Sequence, residues 1–139
     1  MHISAAKTRE RLAAARVARL ATADADAVPH LVPVTFAVTG DVVVIAIDQK
    51  PKSTTNLRRV RNIEANPAVC LIADGYQEDW SRLWWARADG HATIERSAEA
   101  LAEPIRLLTE KYRQYDQQPP TGPVIRIRVH TWRGWAATG

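Results

Sequence analysis

Residues 28–47, Val28-Pro-His-Leu-Val-Pro-Val-Thr-Phe-Ala-Val-Thr-Gly-Asp-Val-Val-Val-Ile-Ala-Ile47, decide the fold class. From Val28 to Thr39 the residues follow the two-residue period of a strand. Val28, Val32, Val34, Phe36 and Val38 share one face, and Pro29, Leu31, Pro33, Thr35 and Ala37 the other. Thr39-Gly40-Asp41 supplies a tight hairpin turn, and Val42 to Ile47 is continuously apolar, the mark of a buried strand. Proline cannot donate to a ladder. Pro29 and Pro33 therefore put the first strand at an edge or a bulge, with something other than a neighbouring strand alongside.

Working outward, Ser4 to Arg16 holds good helix formers behind a Ser4 N-cap, and a short strand from Val17 to Ala23 stops at Asp24-Ala-Asp26. On the other side, Lys50-Pro-Lys-Ser-Thr-Thr-Asn56 opens a helix, capped by Ser53, that runs to Ala65 and ends near Asn66-Pro67. Ala68 to Asp74 is a strand, Gly75 to Arg82 a loop, and Leu83 to Glu95 a long strand with a bulge at Gly90. Ser97 caps a helix with a stripe of Leu101, Ile105, Leu108 and Tyr112, which Pro104 kinks or restarts. After a polar loop, Val124 to Thr131 sets Ile125, Ile127 and Val129 against Arg126, Arg128 and His130. Six strands with short hairpins and no βαβ regularity predict a mainly β, α+β fold: a six-stranded antiparallel barrel, closed or split, flanked by helices.

At 139 residues the chain has the length of a single domain, residues 1–139, that needs no disulfide or structural metal for its core. Apolar residues at 46% and charged ones at 24% set aside disorder and coiled coil. Cys70 has no partner for an internal bridge, and its place in an apolar strand predicts an inert buried thiol. Neither a signal peptide nor a membrane span is evident, so a cytoplasmic location with no membrane partner is expected. The net charge of +4 invites an acidic partner.

Lys50, Lys52, Arg58, Arg59 and Arg61 fall in one acid-free stretch around the predicted helix start, which also carries Ser53, Thr54, Thr55 and Asn56. Backbone N–H groups, the helix dipole, hydroxyls and two lysines converge there, as a phosphate requires. The plainer alternative is that Ser53 only caps and the arginines form a solvated face. Five tryptophans against a single phenylalanine is a second anomaly. Alternation assigns Trp84 to the core with Ala86, Ala88, Ala92 and Ile94, and Trp85 to a polar face with Arg87, Asp89 and His91. Trp85 and Trp80 either stack on a planar ligand or pack at the surface. No Gly-rich phosphate loop, metal-spaced Cys/His set or Gly-x-Ser-x-Gly elbow occurs, and the four histidines are scattered, so no metal site and no catalytic side chain is assigned. Hard chemistry here would belong to a cofactor.

Ala18-Arg-Leu-Ala-Thr-Ala23, Pro29-His-Leu-Val-Pro-Val-Thr-Phe36, Lys50-Pro-Lys-Ser-Thr-Thr-Asn-Leu57 and Asn62-Ile-Glu-Ala-Asn-Pro-Ala-Val69 together resemble the pyridoxamine 5'-phosphate oxidase-like superfamily of split-barrel flavin- or deazaflavin-binding proteins. Trp84-Trp-Ala-Arg-Ala-Asp-Gly-His-Ala92, Lys111-Tyr-Arg-Gln-Tyr115 and Trp132-Arg-Gly-Trp135 resemble more narrowly its branch of probable coenzyme F420-dependent enzymes. The resemblance implies an FMN-binding split-barrel type fold and a homodimer with cofactor sites between subunits. The phosphate would lie at Lys50, Lys52, Ser53, Thr54 and Asn56, the ring against Val32, Pro33, Val34 and Thr35, and Trp80 and Trp85 would reach in from the partner. Trp132-Arg-Gly-Trp135 does not reproduce the Arg-x-His-type ending of the true pyridoxamine phosphate oxidases, which sets vitamin B6 oxidation apart. The expected activity is hydride transfer from reduced F420 to an unsaturated small-molecule substrate. The alternatives are an FMN-dependent oxidase or reductase and a non-catalytic flavin or deazaflavin carrier. A nucleic-acid module ranks last, because the basic residues gather at one helix while the other strands interleave arginine with acid.

Overall fold

A computed structural model describes residues 1–47 and 57–138 of the chain. Its strands are β1 (His2–Ile3), β2 (Ala18–Ala23), β3 (Pro29–Val34), β4 (Ala37–Thr39), β5 (Val42–Ala46), β6 (Ala68–Gly75), β7 (Trp84–Glu95) and β8 (Val124–Ala136). The helices are α1 (Ala5–Ala14), α2 (Arg58–Ala65), α3 (Ala98–Lys111) and α4 (Gln114–Gln117), with a 3-10 turn at Trp80–Arg82. All pairings are antiparallel, in the order β3-β2-β6-β7-β8-β5-β4, with β1 added to β8. β3 and β4 stand at opposite edges of this order, yet only Thr35 and Phe36 separate them in the chain. The sheet must curl until its edges nearly meet, and because β3 and β4 do not pair, it stays open along that line.

Among the described residues, eight strands replace the six expected. The run from Val28 to Thr39 breaks at Thr35-Phe36 into two edge strands, His2–Ile3 adds a short one, and β8 continues past Thr131 to Ala136. The predicted alternation survives the break, with Val34, Phe36 and Val38 facing the main core while Ala37 faces a second core beneath α3. Pro29 and Pro33 lie on an edge strand, as their missing N–H groups require. β5 is buried on both faces: Val43 and Ile45 enter the barrel, and Val44 and Ala46 meet Leu108 and Tyr112. Leu20, Phe36, Ile45, Leu71, Ile125 and Ile127, almost fully buried, hold the interior, each contributing about 1.5–3 kcal/mol.

The predicted bulge sits where β7 meets β8. The register passes from Asp89 opposite Thr131 to Gly90 opposite Val129, leaving His130 as the extra residue. One extra residue reverses the parity of β8. Ile125, Ile127 and Val129 face inward before it, and Trp132 and Gly134 after it, which lets the strand extend through the tryptophans that sequence alternation left outside.

The helices pack against the curled sheet and cover one flank. Ser4 caps α1 by accepting the Lys7 N–H at 3.1 Å, and Leu12 is buried in the barrel core. α2 begins at Arg58 with Leu57 as N-cap and no side-chain cap bond. The assignment of Ser53 as cap is thereby corrected, and Arg58 and Arg59 occupy the first turn. Lys50, Lys52, Ser53, Thr54 and Asn56 lie outside the described residues. α3, capped by Ser97, runs unbroken through Pro104 and packs on β4 and β5. Among the described residues, no helix is long and apolar enough to cross a membrane.

Candidate functional site

The line where β3 and β4 part is a groove. One recess, of about 260 Å³, is lined by Val17, Pro33, Val34, Thr35, Ile45, Ala46 and Arg59. A second, of about 420 Å³, is lined by Arg16, Thr35, Tyr112, Gln114 and Tyr115. Thr35 belongs to both, and Arg16 and Val17 are chain neighbours, so the two recesses are halves of one depression along the open edge of the barrel. The first half has a wall of short side chains on a strand whose far side has no neighbour, a surface suited to a planar ring.

Tyr112 anchors the break that creates this groove. Its hydroxyl accepts the Phe36 N–H at 3.1 Å and stands 3.0 Å from both the Phe36 and Arg16 carbonyl oxygens, to one of which its single proton goes. Backbone groups freed where β3 ends are thus satisfied by a side chain from the end of α3. Burial raises the Tyr112 phenol above its ordinary value, against the opposing Phe36 hydrogen bond, so it stays a neutral donor. Beside it, Thr35 Oγ1 and Tyr115 Oη share a hydrogen bond of 3.0 Å.

The charge around the groove is cationic. The Arg16 guanidinium lies over the Tyr112 ring, 4.8 Å from its centroid, and donates to the Lys111 carbonyl oxygen at 2.8 Å. Lys111 Nζ is buried, 3.8 Å from the Phe36 ring centroid and 5.3 Å from that of Tyr112, with no hydrogen-bond acceptor among the described residues. Burial pushes this ammonium down to about 8, and Arg16 adds a smaller repulsion. Its ordinary value is near 10.5, so between about pH 8 and 10.5 the unfolded chain holds a proton that the folded protein has released. Stability is expected to rise with pH across that window, until Tyr112, ionising more readily in the unfolded chain, opposes it above about pH 10. Lys111→Met should stabilise the fold at pH 7 by about 1 kcal/mol, allowing for partial exposure of the side chain, and flatten the rise. Urea titrations at pH 7, 8 and 9 check both results.

Of the residues singled out from sequence, the structure gathers Pro33, Val34 and Thr35 in the groove. Val32 and Val34 share the core-facing side of β3, and Val32 does not line the groove. Trp85 lies in another recess with Tyr76, Leu83, Trp84 and Trp135, and β2 and β6 separate it from the groove. Trp80 stands 72% exposed on the 3-10 turn. Trp84, expected in the core, packs at its margin with Arg11 over its ring. Cys70 is half-buried on the outward face of β6, opposite Asp89, and burial followed by the Asp89 charge raises its thiol. Arg16, Val17, Tyr112 and Tyr115 also line the groove, and nothing in the sequence around them signals it. Only the strand break brings them together.

The outward face of β3, β2, β6 and β7 carries Leu31, Ala21, Ile72 and Trp85, with Trp135 opposite Trp85 on β8. α1 and α2 pack their buried side chains, Leu12, Val60 and Ile63, into the core on the sheet's inner side, and α3 packs on β4 and β5. Leu31 is 65% exposed there, and Arg19, Arg87 and Asp89 alternate with the apolar side chains on the same face. No group of three or more His, Cys, Asp or Glu side chains that could hold a metal ion occurs among the described residues.

A family described as pyridoxamine 5'-phosphate oxidase matches residues 4–136. No curated protein matches the chain in sequence. Among solved structures, a FAD-binding protein from Mesorhizobium loti is 20% identical, with a TM-score of 0.74 over 96% of this chain and 95% of that one. A conserved hypothetical protein from Mycobacterium tuberculosis is 22% identical, with a TM-score of 0.77 over 97% of this chain and 86% of that one. HutZ, the heme storage protein of Vibrio cholerae, is 19% identical, with a TM-score of 0.70 over 94% and 90% of the two chains. At such identities the likeness is one of fold.

Proposed function

Because the chain belongs to the pyridoxamine 5'-phosphate oxidase family, we propose that the groove between β3 and β4 binds a flavin-type cofactor and that the protein is an oxidoreductase. The observation that carries this is the groove itself, lined by Pro33, Val34 and Thr35 where an edge strand ends with no neighbouring strand to cover it. When bound, a flavin or deazaflavin supplies hydride-transfer chemistry, and the chain contributes binding and orientation. Pro33, Val34 and Thr35 would lie along the ring, with Val32 contributing backbone only. Lys50, Lys52, Ser53, Thr54 and Asn56 would hold the phosphate. No side chain is assigned as nucleophile or proton donor.

A flavin nucleotide such as FMN is the better-supported cofactor, since the family description and the FAD-binding relative both point to flavins. Coenzyme F420 is the second reading. The cations Arg16 and Arg59 that line the groove favour it, because its acidic polyglutamate tail would find them there. Lys52→Ala is expected to weaken binding of either cofactor about tenfold and to leave the fold intact, the loss of one charge-assisted phosphate contact. Unchanged affinity would place the phosphate elsewhere.

The outward sheet face, in this reading, pairs with a second copy, and Trp80 and Trp85 of that copy reach the cofactor. One chain keeps them apart from the groove, so the dimer would be the working unit. Leu31→Glu with Ile72→Glu should convert a dimer into monomers on size exclusion. A protein already monomeric before substitution removes this part of the reading.

A further inference from the structure

We propose that the recess beside Thr35 binds the anionic end of an aromatic organic acid, with Arg16 as the anchoring cation. The recess is large enough for a small molecule, about 420 Å³, and none of the residues lining it is acidic. Tyr112 and Tyr115 line the recess and pack edge to face on each other, their ring centroids 5.9 Å apart at 81°, so its wall is aromatic. Thr35, Gln114 and Tyr115 bring polar groups to the same space.

Charge decides the class of ligand. Arg16 and Lys111 both lie against the Tyr112 ring, and among the described residues neither is paired with a carboxylate. Like charges held this close, one of them buried, oppose folding unless something offsets them, and a bound carboxylate does so. Arg16 presents a planar fork of donors, the geometry that carboxylates favour. Thr35 then joins the two halves of the groove: a ring held against Pro33–Thr35 would face a substrate anchored at Arg16. The proposal rests on the cofactor reading for that adjacency alone.

Calorimetric titration of the full chain with naphthoate and with its uncharged analogue naphthalenemethanol tests the assignment. Naphthoate is expected to bind about tenfold more tightly. Arg16→Gln should abolish that preference, whereas Arg16→Lys should restore only part of it, because the ammonium keeps the charge and loses the planar fork. Tyr115→Phe offers an independent check, with an expected loss of about threefold for naphthoate alone. Equal affinity for the two probes in the wild type, or a preference that survives Arg16→Gln, would overturn the proposal. Parallel titrations with FMN and F420 separate the two ideas. Protein that binds neither cofactor yet prefers naphthoate defeats the cofactor reading and leaves the recess standing. Normal cofactor binding with no naphthoate preference does the reverse.

Discussion

Tyr112→Phe is expected to destabilise the fold by about 2–4 kcal/mol, seen as a lower urea midpoint at unchanged slope. The substitution removes one oxygen and leaves the ring in place, so packing against Leu108 and Ala37 is retained. What is lost is the partner of the buried Phe36 N–H and the donor to the Phe36 or Arg16 carbonyl. Each group left unsatisfied costs about 1–3 kcal/mol. Local consequences should follow, because these bonds hold the link between the two edge strands. Hydrogen exchange at Phe36 and along β4 is expected to accelerate more than exchange in β7, which is paired on both sides. A variant as stable as the wild type would mean that the strand break is held by packing alone.

Gly90→Ala is expected to cost about 3 kcal/mol or more. A Cβ at this position collides with the Arg128 carbonyl oxygen, which is backbone and cannot swing aside. The bulge would have to shift, and with it the parity that turns Trp132 inward and sets Gly134 close against Thr8. Gly40→Ala provides the contrast. Gly40 takes φ +55° in the β4–β5 turn but has open space around it, so only conformational strain of about 1 kcal/mol is expected. Equal effects at the two positions, measured by thermal melting, would show that the bulge tolerates rearrangement.

Much of the barrel is legible in residues 28–47, because alternation, prolines and a glycine turn each act over a few residues. The edge position of Pro29 and Pro33 follows from a missing donor, and the bulge at Gly90 was visible as a glycine within a long strand pattern. The strand break at Thr35-Phe36 was not, since its cause is the Tyr112 hydroxyl from a helix distant in sequence. The same distance hides Arg16, Tyr112 and Tyr115 from any local reading of the site. Parity misled at β8 for a related reason: His130 resets the alternation, so a strict two-residue count ends the strand too early. At α2, the hydroxyl-rich stretch before the helix attracted the cap assignment, whereas Leu57 occupies the cap position.

Titration of the purified full chain with FMN and with F420, followed by the absorbance and fluorescence of the cofactor ring, tests the central claim most directly. Saturable binding of one of them at one site per chain, weakened about tenfold by Lys52→Ala, is the result the groove predicts. Submicromolar FMN binding with none for F420 identifies a flavin protein, and the reverse an F420 protein. A chain that binds neither while remaining folded contradicts the claim.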